Sequence, residues 1–237
     1  MAGATLIVVM ALAATVLSSD PGSRFGIDFR LYLTATRSWM AGDGFYYPWQ
    51  LTTTYGMDPP PILYPPPILI LLVPFTVLPA FLWWAIPLGV IAWAIRSLRP
   101  ARWSWPLLVL LFGWATGAWL VWSGNPMMWA AAALGYAAVR GWSGPLVLLK
   151  PSLAPFGLMG IRTRGWWVTL AVVVAVSIAF LPLWSKFFTA IGNFGSGRGI
   201  AYSLPDYPMM AGVVVAWLGR TRSNPDEDHR QENDRET

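Results

Sequence analysis

Between Asp58 and Asp206 the chain carries no aspartate or glutamate. A soluble surface of that length needs carboxylates, whereas charged groups are expensive in hydrocarbon and rare there. Over this stretch, apolar runs are punctuated by proline and closed by arginine. Only 11% of the chain is charged, against about 25% in an average soluble domain. The pattern predicts an all-α, polytopic integral membrane bundle, because lipid tolerates only backbone whose hydrogen bonds are satisfied within the protein.

Residue content removes several chemistries. There is no cysteine, and the single histidine, His229, stands near the C-terminus. Disulfides, thiol nucleophiles, a histidine-based zinc site and a Ser-His-Asp triad therefore lack their parts. The net charge of +5 conceals an acidic tail, 223–237, with six acids against Arg230 and Arg235. The body, 1–222, reads as one membrane domain with 14 basic and five acidic residues. Its cations stand at the ends of apolar runs, as topology signals and lipid-headgroup contacts do, which argues against nucleic acid as a partner. The polar tail reads as disordered.

About six to eight membrane segments are expected. Ala2–Leu17 reads as a retained first span, since no Lys or Arg precedes it and Ser18-Ser19-Asp20 makes a poor cleavage site. Residues 18–61 form a polar, extracytoplasmic loop that gathers Asp20, Asp28, Asp43 and Asp58. Within it, Phe29, Leu31, Tyr32, Leu33, Ala35 and Trp39 predict an amphipathic interfacial helix over 28–40, closed by the turn residues 41–44. The apolar stretch 62–95 is broken by Pro65, Pro74, Pro79 and Pro87 and followed by Arg96, Arg99 and Arg102. It fits either one broken crossing or a hairpin hinged at Leu78-Pro79. Spans are expected over 105–122, 127–139 and 166–183, with a polar loop over 184–207 and a short last segment over 209–218. If Arg140 before them and Arg162 and Arg164 after them share a side, residues 145–161, with Lys150-Pro151 at their middle, enter and return as two half-helices without crossing.

Few residues in such a chain can carry chemistry. Asp28, beside the membrane, could deprotonate a hydroxyl within direct reach, or simply cap the helix. Lys150 interrupts an apolar segment, where a cation is either functional or snorkelling, and a phosphate suits its point charge. Arg198, in a Gly-rich loop, could assist it or belong to a solvated linker. Tyr64, before Pro65-Pro66-Pro67, could face a ligand or anchor the interface. Asn125, in Ser-Gly-Asn-Pro, reads first as a turn residue. Asp28 and Asp43 could share a divalent cation, although no cofactor is required by the sequence.

In order along the chain stand Asp28-Phe29, Tyr32-Leu33-x-Ala35, Gly42-x-x-x-Tyr46, Tyr64-Pro65-Pro66, Leu78-Pro79, Gly124-Asn125 and Lys150-Pro151. Over roughly residues 5–200 this series resembles the bacterial membrane glycosyltransferases of family 87, related to the polyprenol-phosphate-mannose-dependent mannosyltransferases of the GT-C superfamily. The resemblance implies transfer of a hexose, mannose in the best-known cases, from a polyprenyl-phosphate donor to a lipid or glycan hydroxyl. Transfer would take place on the outer face of the bacterial cytoplasmic membrane, with inversion. Asp28 would be the general base, Lys150 and Arg198 would hold the donor phosphate, and Tyr32, Asp43, Tyr64 and Asn125 would be substrate contacts. The superfamily's divalent metal has no clear ligand set in this sequence. Family members are usually longer, which leaves room for a protein partner, and the Gln often found beside the Gly of Gly124-Asn125 is missing. The alternatives are a non-catalytic protein that binds or translocates polyprenyl phosphate, and a structural subunit of a larger membrane complex.

Overall fold

The computed structural model describes residues 22–195 and 207–221. The expected first span, Asp20, Arg198, Asp206 and the charged tail lie outside these residues. Among the described residues the fold is helical, with two isolated β-bridges and no strand. The helices are α1 (Ile27–Met40), α2 (Pro48–Thr52), α3 (Ile68–Leu72), α4 (Leu82–Leu98), α5 (Trp105–Phe112) and α6 (Ala115–Ser123). They continue with α7 (Met127–Arg140), α8 (Ala154–Gly157), α9 (Arg164–Ala179), α10 (Leu181–Gly192) and α11 (Tyr207–Leu218).

Helix α1 is the amphipathic helix expected from the sequence. Phe29, Tyr32, Leu33 and Thr36 recur at helical spacing and are buried. Its N-cap is Gly26, so Asp28 lies one residue inside the helix rather than capping it. Residues 64–83 wind around one end of the bundle, since Tyr64 and Trp83 both reach the Gly124-Asn125 turn. Helix α4 then runs away from that end. Trp83 and Trp84 at its start donate to the carbonyls of Gly124 and Val121, and Trp93 near its finish stacks on Tyr136 of α7. Helices α4 and α7 are therefore parallel, and α5 with α6 supplies the return between them. The stretch 62–95 thus makes one net passage.

The polarity of the bundle follows. Arg96 and Arg99 end α4, Arg140 ends α7, and Arg102 precedes α5. The segment after α11 pairs with the end of α4, with Thr221 donating to the Arg99 carbonyl and a bridge between Pro100 and Arg220. Thr163, between Arg162 and Arg164, donates to the Gly141 carbonyl. Seven arginines (96, 99, 102, 140, 162, 164 and 220) gather at the end opposite Asp28.

Residues 144–161 enter and return. Two 3-10 turns, Gly144–Leu149 and Pro151–Leu153, meet at Lys150, and α8 leads back. Pro145, Pro151 and Pro155 lack the amide donors that α-helical arms need, so 3-10 turns replace most of the expected half-helices. The bases of the two arms touch backbone to backbone. A Cβ on Gly160 would lie 1.8 Å from the Gly141 carbonyl oxygen, at a φ of +85°.

Two expectations are corrected. The apolar run 105–122 is not one helix, because α5 ends at Gly113 and Trp114 is extended before α6 begins, a 59° bend. Residues 184–207 are not simply a polar loop, because α10 occupies their first part at 84° to α9. Pro182 sits in the first turn of α10, and Leu183, Trp184, Phe187, Ala190 and Ile191 fall along its packed face. No single described helix is long and apolar enough to cross a membrane. The bent pairs 102–123 and 164–192 have that length and composition together.

Candidate functional site

The Ser123-Gly124-Asn125-Pro126 turn builds the site. Gly124 is left-handed (φ 72°) at the end of α6, and Pro126 precedes α7. A Cβ on Gly124 would lie 2.8 Å from the Trp84 ring and 2.9 Å from the Phe29 Cβ, so glycine is needed for both its conformation and its close packing. This turn points the flanking Ser123 and Asn125 at one atom. The Ser123 hydroxyl donates to Asp28 Oδ2 at 2.9 Å and Asn125 Nδ2 donates to the same oxygen at 2.7 Å.

The Asn125 amide has only one self-consistent orientation. Its Oδ1 accepts from the Met127 backbone N–H at 3.0 Å and from the Tyr64 hydroxyl at 2.9 Å. A backbone N–H can only donate, so the oxygen must face Met127 and the Nδ2 must face the carboxylate. Asn125 is therefore both a turn residue and a link between Asp28 and Tyr64. Two donors on Oδ2 fix the plane of the carboxylate, which is half-buried on α1.

Tyr64 connects this pair to the cation. Its ring lies beneath Lys150, with Nζ 5.1 Å from the ring centroid, and meets the Tyr32 ring edge-on at 5.2 Å. Lys150 is 3% exposed at the tip of the re-entrant segment. Burial of the ring (3% exposed) and its hydrogen bond make Tyr64 an interior connector, not an interfacial anchor. A cavity of about 570 Å³ extends from Tyr64 and Lys150 between α4, α7 and α9. Its walls are apolar, with Leu71, Phe75, Val90 and Val176 among them.

Asp28, Tyr32, Tyr64, Asn125 and Lys150 thus come together, while Asp43 does not join them. It is exposed beyond the far end of α1, where its N–H bonds to the Ser38 carbonyl. Ser38 is ten residues along the helix from Asp28, about 15 Å at 1.5 Å per residue. Two ligands of one cation lie within a few ångströms of it, so Asp28 and Asp43 do not share an ion. Among the described residues, no group of three carboxylates or histidines is placed to hold a metal.

Ser123 and Trp83 are site-building residues that sequence reasoning missed. A serine before Gly-Asn-Pro carries no signal beyond the turn, and Trp83 is one tryptophan among sixteen. Residues 44–64, which lead into Tyr64, are pinned by Gln50, which is fully buried and bonds to Tyr55 and to both backbone groups of Ile62. Tyr47, stacked on Trp49 in the same loop, has its phenol pKa raised by burial.

Comparison of the chain with protein-family models, with curated proteins and with solved structures gave no match.

Proposed function

We propose that the protein is an integral membrane glycosyltransferase that moves a hexose from a polyprenyl-phosphate donor to a lipid or glycan hydroxyl, inverting the anomeric carbon. The observation that carries this reading is the connected series Asp28–Asn125–Tyr64–Lys150 at the head of an apolar cavity. A lipid-linked sugar phosphate needs an apolar wall for its chain, a cation for its phosphate and a base for the incoming hydroxyl. In this scheme the Asp28 carboxylate takes the proton of the acceptor hydroxyl as its oxygen bonds to the anomeric carbon. The bond from that carbon to the phosphate oxygen breaks, and Lys150 stabilises the charge that develops on the leaving phosphate. Mannose as the sugar follows from the resemblance alone.

The membrane setting is supported by the exposed apolar side chains of the bent pairs, including Val109, Val168, Trp167 and Ile178. With seven arginines at one end, the positive-inside rule assigns that end to the cytoplasm and Asp28 to the outer side. Arg198 remains a proposed second phosphate ligand from the sequence.

The test uses membranes containing the full chain, a labelled polyprenyl-phosphate hexose and a glycolipid acceptor extract. Asp28→Asn should lower transfer by about 10²–10⁴-fold, the usual contribution of a general base, while the donor still binds. Equal transfer by both proteins would refute the catalytic role. Donor binding without transfer by the native chain would identify a lipid-binding protein instead.

A further inference from the structure

At the end remote from Asp28, Arg96, Arg99 and Arg102 line a single cavity of about 710 Å³. None of their guanidinium groups makes a hydrogen bond or ion pair with a described residue. The described carboxylates, Asp28, Asp43 and Asp58, all precede Tyr64 in the part of the chain that surrounds the other end. The remaining wall of the cavity is largely apolar, with Ala92, Ile95 and Trp105. Trp105 and the neighbouring Trp103 are both exposed.

Arg99 is the informative member of the trio. It ends α4 in the left-handed conformation, φ 46° and ψ 63°, and is the only non-glycine residue with positive φ among those described. Glycine is the usual occupant of such a helix end, since a Cβ is disfavoured there. The neighbouring backbone is clamped from outside. Thr221 donates to the Arg99 carbonyl from its N–H (3.3 Å) and its Oγ1 (2.9 Å), and the Ala101 N–H donates to the Gly219 carbonyl (2.7 Å). An arginine is thus held where glycine would be easier, which points to a task for its side chain.

We propose that this cavity binds an anionic phospholipid, its phosphate between the three guanidinium groups and the start of its acyl chain along Ile95 and Trp105. Guanidinium forks match phosphate oxygens in pairs, and tryptophan favours the boundary between headgroup and chain. The apolar wall distinguishes the site from one for a free anion. The inference rests on the membrane reading and is independent of sugar transfer.

The test is native mass spectrometry of the full chain in detergent, with equimolar phosphatidylglycerol and phosphatidylcholine of identical acyl chains. Phosphatidylglycerol should be retained selectively. Each Arg→Gln change should weaken it by about fivefold, as expected for one cation near an anionic lipid surface, and the triple variant by about a hundredfold. Arg99→Gly separates binding from folding, because it relieves the left-handed residue and should keep or raise the melting temperature while weakening the lipid. Equal retention of the two lipids, or retention unchanged in the triple variant, would overturn the proposal. Displacement of the lipid by equimolar inorganic phosphate would overturn it in favour of a soluble anion. Binding seen only after deletion of 223–237 would overturn it in favour of the acidic tail as occupant. Release of the protein from membranes by alkaline carbonate would reject the membrane reading itself, a result distinct from loss of lipid selectivity in a protein that stays embedded.

Discussion

Replacing Gln50 by leucine tests whether the segment that leads into Tyr64 is held by one buried amide. Leucine is close in volume and leaves the backbone carbonyl of residue 50 able to accept from Asn193 Nδ2, a bond of 3.0 Å. Four bonds disappear: Nε2 to the Ile62 carbonyl (3.0 Å), Nε2 to the Tyr55 hydroxyl (3.1 Å), Ile62 N–H to Oε1 (3.2 Å) and the longer Tyr47 N–H to Oε1 (3.4 Å), whose donor is only partly buried. Tyr55 keeps its 2.6 Å bond to the Ala190 carbonyl, so its hydroxyl is not orphaned. Ile62 is 0% exposed, and both its N–H and its C=O lose this partner where water cannot replace it. Each orphaned group costs about 1–3 kcal/mol, giving about 4 kcal/mol for the pair. The apolar leucine recovers roughly 1 kcal/mol of burial. A net loss of about 3 kcal/mol in a chain of this size lowers the melting temperature by about 6–12 °C. Tryptophan fluorescence during heating in detergent measures the shift, and limited proteolysis should open residues 53–61 first. A melting temperature within about 2 °C of the native value, with unchanged proteolysis, would refute the reasoning.

Three further outcomes are expected. Lys150→Ala should weaken polyprenyl-phosphate-hexose binding by about 10–100-fold, the range for a lost hydrogen bond to a charged group, whereas Lys150→Arg should largely keep it; unchanged affinity in the alanine variant, measured by titration, would remove Lys150 from the phosphate role. Gly124→Ala should lower stability by about 2–5 kcal/mol, from the left-handed conformation and from overpacking against Trp84 and Phe29; thermal unfolding of the variant is the check, and native stability would contradict the close packing. Asn125→Leu removes the donor to Asp28 and the acceptor for Tyr64, so kcat should fall by about 10–100-fold with donor KM little changed. Native kcat in that variant would leave Asn125 as a turn residue only.

The candidate residues were legible because each was a local anomaly: an aspartate at the start of an amphipathic helix, a lysine inside an apolar run, a tyrosine before three prolines. Their meeting was not legible. It depends on the bend at Gly113-Trp114, which returns the chain to the Asp28 end, and on tryptophan N–H bonds to the carbonyls of the 121–124 stretch. The re-entry at Lys150 was readable from arginines of one sign on both sides of a proline-broken run. The α10 helix reads as a loop because Ser185, Lys186 and Thr189 interrupt it, yet its apolar residues recur at three- and four-residue spacing. The arginine end was visible only as separate cations. What joins them is the direction in which each helix runs, and that is set by tertiary packing.

Two further pins on residues 44–64 come from late in the chain. Asn193 bonds to Gln50 across 143 positions and the Tyr55 hydroxyl bonds to Ala190 across 135. A chain made from its N-terminus can therefore form the Asp28–Asn125 contact well before the parts that secure Gln50 and Tyr55 exist. Truncated products that stop before α10 should keep α1, α4 and α7 and the Gln50–Ile62 bonds, but leave Tyr55 and the Gln50 carbonyl without their late partners, which exposes the 50–55 stretch to proteases in an unfinished molecule.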